Sequence, residues 1–254
     1  MTHDLRGKAV LITGASTGIG AAAARAFGAA GAKVAVHYNA SRDAAEAVAA
    51  DVKKAGGEAI TVQGDVTSTA ACRAIVDATV KAFGGIDVLI NNAGGLVQRV
   101  PVAELTDALF DQVLHLNVRS ALMCIAAAVV PMRAARRGNI INVTSVAARH
   151  GGGPGAVLYA GSKGFVSTMT RGLAKELVPD GIRVNAVAPG VITTPFHERF
   201  STPAMLEGFR KTIPMNRIGE ADECAGAFLY LASDAMSSYV TGQILEVNGG
   251  QYMP

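Results

Sequence analysis

Runs rich in Val and Ile at 9–13, 33–38, 59–63, 88–91, 139–144, 183–188 and 243–247 alternate with alanine-rich stretches of helical length. A helix between two strands returns the chain to the starting end of the sheet, so successive strands run parallel and helices cover both faces. Seven strands are expected. Helices are predicted at 19–30, 41–55, 67–83, 106–136, 158–178, 204–211 and 220–232. Gly31, Gly56-Gly57 and Gly84-Gly85 stand just past three of them, where a helix C-cap takes positive φ. No repeat and no linker-like segment breaks the series. A single doubly wound α/β domain over 1–254 is therefore expected, with one irregular stretch at 191–215.

Half of the 254 residues are hydrophobic and 17% are charged, which excludes a disordered chain. The side chains are small: 29 glycines, 5% aromatics and no Trp mean that backbones approach one another, or a ligand, closely. The longest apolar run, 121–132, falls short of the ~20 residues a bilayer requires and reads as a buried helix. Residues 1–6 include Asp4 and no apolar core of a secretory signal. Cys72, Cys124 and Cys224 have no paired spacing and suit a reducing cytosol, so a cytoplasmic protein is expected. A net charge of +3 without a basic-aromatic stripe argues against nucleic acid, and the five histidines show no metal-site spacing.

The first strand leads directly into Thr13-Gly14-Ala15-Ser16-Thr17-Gly18-Ile19-Gly20 and a helix of alanines. Glycines there allow a tight turn, remove Cβ atoms from the path of a pyrophosphate and let helix pack on strand, while the helix N-terminus offers amides to an anion. The spacing is Gly-x3-Gly-x-Gly, and no Gly-Lys-Ser/Thr of a P-loop follows.

Four further motifs occur in order: Asn91-Asn92-Ala93-Gly94, Ser145, Tyr159-x3-Lys163 and Pro189-Gly190-x-Ile192-x-Thr194. Together with the glycine loop they resemble the short-chain dehydrogenase/reductase family over nearly the whole chain. The resemblance implies a Rossmann-like fold, a nicotinamide cofactor and hydride exchange between a ketone and a secondary alcohol. It implies cofactor contacts from Gly14, Ser16, Thr17, Gly18, Ile19, Gly20, Tyr38, Asn39, Ser41, Arg42, Asp65, Val66, Asn91, Ala93, Gly94, Tyr159, Lys163, Pro189, Gly190, Ile192 and Thr194.

An acid at the end of the second strand would bind the ribose 2′-hydroxyl of NAD and repel a 2′-phosphate. Tyr38-Asn39-Ala40-Ser41-Arg42 has none, and Ser41 with Arg42 can hold a phosphate, so NADP is expected and NAD is the alternative. The plainer readings are an N-cap for Ser41, a surface charge for Arg42 and a turn residue for Asp65.

Moving a proton to or from a carbinol oxygen near neutrality needs a tuned group, since a free Tyr has a pKa of about 10. Tyr159 and Lys163 share a helix face at a separation of four, and an ammonium beside a phenol favours the phenolate. Ser145, at the carboxyl edge of the strand 139–144, can polarise a carbonyl. The Ser-to-Tyr interval is one residue longer than usual in the family, the extra length lying in Gly151-Gly152-Gly153-Pro154-Gly155. Asn117 matches the family's fourth catalytic residue, a support for a proton-relay water; the alternative is a buried, helix-kinking Asn.

Substrate contacts are expected from Leu96, Val97, Gly152, Gly153 and Phe196, with Phe196, Phe200, Met205 and Leu206 forming an apolar lid within 191–215 or, alternatively, serving ordinary packing or a subunit interface. His150 reads as a solvent-facing loop residue, with substrate contact as the alternative. Arg133, Arg136 and Arg137 suit the C-terminal dipole of a long helix, or form a docking patch for an acidic acyl carrier protein, since the chain is similar to 3-oxoacyl-carrier-protein reductases. A homotetramer is implied by the resemblance. The rival readings are a non-catalytic dinucleotide sensor, a nucleotide-sugar epimerase or dehydratase, and a methyltransferase.

Overall fold

The computed structural model describes residues 2–254; Met1, part of the N-terminal reading, lies outside them. Seven parallel strands form one sheet: β1 (Ala9–Ile12), β2 (Lys33–Tyr38), β3 (Glu58–Gln63), β4 (Val88–Asn91), β5 (Gly138–Val143), β6 (Ile182–Pro189) and β9 (Ile244–Val247). Their order is β3-β2-β1-β4-β5-β6-β9, so the chain reverses direction across the sheet between β1 and β4. Ligands of doubly wound sheets bind at the carboxyl edge of such a switch point. A two-stranded parallel ribbon, β7 (Ile192–Thr193) with β8 (Gly219–Glu220), lies apart.

The interior is divided by the sheet. One face packs Val10, Ile12, Val34 and Val36 against α1 (Gly18–Ala29), α2 (Arg42–Lys54) and α10 (Ala225–Ala232), centred on the fully buried Phe27 and Phe228. The other packs Leu11, Leu89 and Ile140 against α3 (Thr69–Phe83), α5 (Ser120–Ala135) and α7 (Val157–Leu177). Truncating Phe27 or Phe228 to Ala would cost about 3–5 kcal/mol through lost burial and the cavity left behind. Positive φ occurs at Gly31, Gly56 and Gly84, as the helix ends require.

The helix expected over 106–136 is three pieces. These are α4 (Asp107–Leu114), a π-helical turn (His115–Arg119) and α5. By length and composition Asp107–Ala135 would suffice to cross a membrane, yet half of its most apolar window is buried within this fold. The segment 191–215 is also more regular than expected: besides the predicted helix, α9 (Pro203–Thr212), it holds β7 and α8 (Pro195–Phe200). Close packing does not explain Gly172 and Gly226, since a Cβ on either would meet nothing within 4 Å.

Candidate active site

The turn from β1 to α1 depends on bonds that join three strand ends. Asn92 Nδ2 donates to the carbonyls of Thr13 and Gly14, both at 2.9 Å, and Thr13 Oγ1 accepts from the amides of Asn92 and Ala93 at 3.0 Å. Gly14 N donates to His37 Nδ1 at 2.9 Å. His37 Nε2 must then carry the proton, which it donates to Gly64 O at 2.9 Å. The imidazole is held neutral, and burial pushes its pKa down. Gly14 takes φ +63°, and a Cβ there would lie 3.0 Å from Ala93 Cα. Sequence reasoning missed His37 and the anchoring role of Asn92; a lone histidine inside an apolar strand was the available signal for the first.

A cleft of about 500 Å³ opens above this turn. Gly14, Ser16, Thr17, Gly18, Ile19, Tyr38, Asn39, Ser41, Asp65 and Val66 line one end; Ala93, Gly94, Pro189, Gly190, Ile192 and Thr194 continue the wall. Thr17 makes no side-chain cap bond, so the first amides of α1 are free of a side-chain acceptor. Ser41 stands at the N-cap of α2, as its plainer reading has it, but its side chain makes no cap bond and borders the cleft. Asp65 Oδ1 accepts from Thr67 N at 2.9 Å and Thr67 Oγ1 at 2.8 Å while the residue borders the cleft, so both of its expected roles coexist.

Five expected site residues lie off this wall. A Cβ on Gly20 would fall 2.5 Å from both Asn92 Nδ2 and Gly14 O, so Gly20 serves the packing beneath the turn. Arg42 lies over the Tyr38 ring at 5.8 Å and pairs with Glu46 at 3.7 Å, one helical turn on. Asn91 is turned inward: its Nδ2 donates to Asn142 Oδ1 at 2.9 Å, and Asn142 Nδ2 donates to Thr170 Oγ1 at 2.9 Å. Val97 packs on the small cluster of Val100, Leu109 and Val113. Asn117 faces Gly95, as follows.

At the other end Ser145, Tyr159 and Lys163 reach the cleft together. Lys163 Nζ donates to Val143 O at 2.8 Å and lies 5.9 Å from the centre of the Tyr159 ring. Burial draws the Lys163 ammonium down to about 8. For Tyr159 burial is again the larger influence and raises the pKa, against a smaller lowering by its hydrogen bond with Ser145. This reverses the lowering expected from the Lys163 neighbour. Withdrawal from water outweighs an ammonium whose Nζ is aimed at the Val143 carbonyl. Both donors of the Asn117 amide are used: Nδ2 donates to Gly95 O at 2.8 Å and to Ser162 Oγ at 3.1 Å, while Oδ1 accepts from Gly95 N at 2.8 Å. The π-helical turn sets this side chain as a clamp on the Gly94-Gly95 turn, beside Lys163.

Leu96, Gly152, Gly153 and Phe196 line the same end, Phe196 tilted against Tyr159 with ring centres 5.7 Å apart. Phe209 of α9 joins them, whereas Phe200, Met205 and Leu206 do not. The wall is less apolar than the sequence suggested, because Arg99, His150, His197 and Gln251 also face the cleft. His150 Nδ1 accepts from Gly152 N at 3.2 Å, and burial holds His197 down to about 4, aided by the Arg99 charge. Helical spacing could not reveal this grouping, since the residues come from four separate segments.

A family model described as enoyl-(acyl carrier protein) reductase matches residues 14–251. A 3-oxoacyl-[acyl-carrier-protein] reductase of Synechocystis sp. is 39% identical over 98% of this chain and 98% of its own. The same-named enzyme of Staphylococcus epidermidis is 37% identical over 97% of this chain and 99% of its own. Among solved structures, an NADH-dependent reductase responsible for alginate metabolism superposes with a TM-score of 0.92 at 40% identity, covering 99% of this chain and 100% of that one. With the seven-stranded parallel sheet and the cleft at its switch point, these likenesses show that the chain is an oxidoreductase of the short-chain dehydrogenase/reductase family.

Proposed function

We propose that this protein reduces a ketone to a secondary alcohol with a reduced nicotinamide dinucleotide. One observation carries the reading: Ser145, Tyr159 and Lys163 meet at one end of a cleft whose other end is the N-terminus of α1, uncapped by any side chain. The cradle fits a dinucleotide, because the β1–α1 turn lacks Cβ atoms at Gly14 and Gly18 and free helix amides suit a pyrophosphate. Ser16, Thr17 and Ile19 would hold the phosphates, Asp65 and Val66 the adenine, and Ala93, Gly94, Ile192 and Thr194 the nicotinamide half. When bound, the cofactor supplies the hydride.

The chain's own groups do the rest. Ser145 and Tyr159 hydroxyls donate to the substrate carbonyl oxygen, polarising it, and the Tyr159 proton passes to that oxygen. A phenol whose pKa is raised keeps its proton at neutral pH and so can serve as the acid that reduction requires. Lys163 holds the cofactor ribose and, through its charge, eases loss of the phenolic proton. Asn117 supports the relay indirectly by fixing the Gly94-Gly95 turn next to Lys163. Helices α8 and α9 act as the lid.

NADP(H) is the favoured cofactor, since no carboxylate stands at Tyr38–Arg42; NAD(H) is the alternative, supported by the NADH-dependent relative. The protein works as a cytoplasmic homotetramer: Cys72, Cys124 and Cys224 are free and buried, and Phe110, Val130 and Phe165 leave apolar surface open on the α4, α5 and α7 side. An acyl-carrier-protein thioester is the second substrate reading, supported by the named relatives. Against a carrier docking patch, Arg133 and Arg136 pair with Asp180 at 2.7 and 3.6 Å, and Arg137 with Asp87 at 3.2 Å.

The test is oxidation of NADPH and NADH followed across a ketone panel that includes acetoacetyl thioesters, with cofactor binding read by fluorescence. Turnover with NADPH above NADH supports the reading; activity with NADH alone overturns the cofactor choice; binding without turnover of any ketone supports a sensor instead.

A further inference from the structure

Among the residues lining the cleft a single carboxylate occurs, Asp65, and it lies at the β3 end far from Tyr159. The substrate end is the opposite in sign. Arg99 is half-buried there and has no carboxylate within 4.0 Å among the described residues, unlike Arg133, Arg149, Arg183, Arg210 and Arg217, which all pair with acids.

Its partners are two carbonyls. Arg99 Nε donates to Phe200 O at the end of α8, at 2.7 Å, and one terminal nitrogen donates to Pro154 O at 2.9 Å. A guanidinium carries five N–H donors, so these bonds fix its plane and leave three unassigned. The chain strains to place it. Val97 takes φ +65°, a costly left-handed conformation for a β-branched residue, within a tight turn closed by Gln98 N donating to Leu96 O at 2.8 Å. That turn sends Val97 away onto the Val100 cluster while Leu96 and Arg99 face the cleft. Such strain concentrates where function needs one side chain in one place. The neighbouring His197 cannot supply the charge, since it stays neutral above about 4.

Resting on the ketone-reductase reading, we propose that the substrate is an oxo acid whose carboxylate is received by Arg99 while its carbonyl faces Ser145 and Tyr159. A fixed guanidinium fork matches a carboxylate in two parallel charge-assisted bonds, which a neutral acyl chain cannot use. The half-buried guanidinium near Phe209 has no acid partner, so a neutral occupant leaves that charge uncompensated. Arg99 thereby acts as the specificity-determining residue, and its anchorage to Phe200 and Pro154 couples occupancy to both walls of the substrate end.

The test uses oxo acids whose carbonyl and carboxylate are separated by two to six carbons, each paired with its methyl ester, on enzyme loaded with reduced nicotinamide. The wild type is expected to favour the best acid over its ester by about ten-fold or more in kcat/KM, chiefly through KM, as a charged hydrogen bond gives. In R99Q that ratio collapses towards one, and in R99K it is intermediate, because charge is kept and the fork is lost. Calorimetric titration of the matching hydroxy acid and its ester, with oxidised nicotinamide present, is expected to show the same preference without turnover. Equal use of acids and esters by the wild type, or an R99Q change that lowers both alike, overturns the proposal while leaving the reductase reading intact. Absence of turnover with every ketone, in a protein that still binds the nicotinamide, overturns the reductase reading on which it rests.

Discussion

The two ends of the cleft are built in different ways. At the cofactor end the cradle is main chain, held in place by three side chains: Asn92, Thr13 and His37 fasten the β1–α1 turn to the ends of β4, β2 and β3. At the substrate end, side chains from residues 96–99, 150–156, 196–209 and 251 converge. Backbone cradles tolerate no added atoms, whereas a side-chain wall can be exchanged residue by residue. One fold can thus keep its dinucleotide and change its substrate.

The largest effect is expected where the two ends meet. Tyr159→Phe should lower turnover by about 10³-fold while leaving reduced-nicotinamide fluorescence titrations nearly unchanged, because the general acid is lost and the cradle is not. Next is Gly20→Ala, whose methyl would fall 2.5 Å from Asn92 Nδ2 and Gly14 O. Overpacking of this kind costs about 1–3 kcal/mol, so denaturant unfolding should show a lower midpoint and nicotinamide titration a weaker Kd. Comparable additions at the substrate end, such as Gly153→Ala, where a Cβ would meet only ordinary contacts at 3.8 Å, should alter KM and spare cofactor affinity.

A pH experiment that compares the wild type with a His197 variant probes the substrate wall, since the buried His37 of the cofactor end contributes equally to both. Burial holds His197 down to about 4, while the unfolded chain has the ordinary value of about 6.5. Between these values the unfolded state binds more protons, so stability is present above 6.5 and is lost as pH falls towards 4. His197→Gln should flatten that part of the Tm–pH curve. The smallest effect is expected outside the cleft: Asp180→Asn breaks the exposed pairs with Arg133 and Arg136 and should lower stability by less than about 1 kcal/mol, with kcat/KM for a free ketone unchanged.

The cofactor end was the more legible in the sequence for the same structural reason. Its requirements are local: Gly14, Gly18 and Gly20 follow one strand and open one helix. Sequence spacing fails where side-chain direction decides. Asn91 and Asn92 are adjacent, yet alternation along β4 buries the first in a chain to Asn142 and Thr170 and turns the second onto the glycine turn. The break at His115–Arg119 was legible only through the helix-kinking alternative for Asn117; what interrupts the α-helical ladder is the tertiary fit of Asn117 to Gly95. Arg99 was invisible because its meaning depends on the absence of an acid among residues far away in the chain.

The central claim is that the cleft delivers a hydride to a carbonyl carbon and a Tyr159 proton to its oxygen. Reduction of an active ketone with reduced nicotinamide carrying deuterium at the transferable C4 position tests it directly by mass spectrometry and NMR of the product. The account predicts one deuterium on the carbinol carbon, formed by the wild type and not detectably by Tyr159→Phe. A product without that deuterium, or equal product from both proteins, would contradict it.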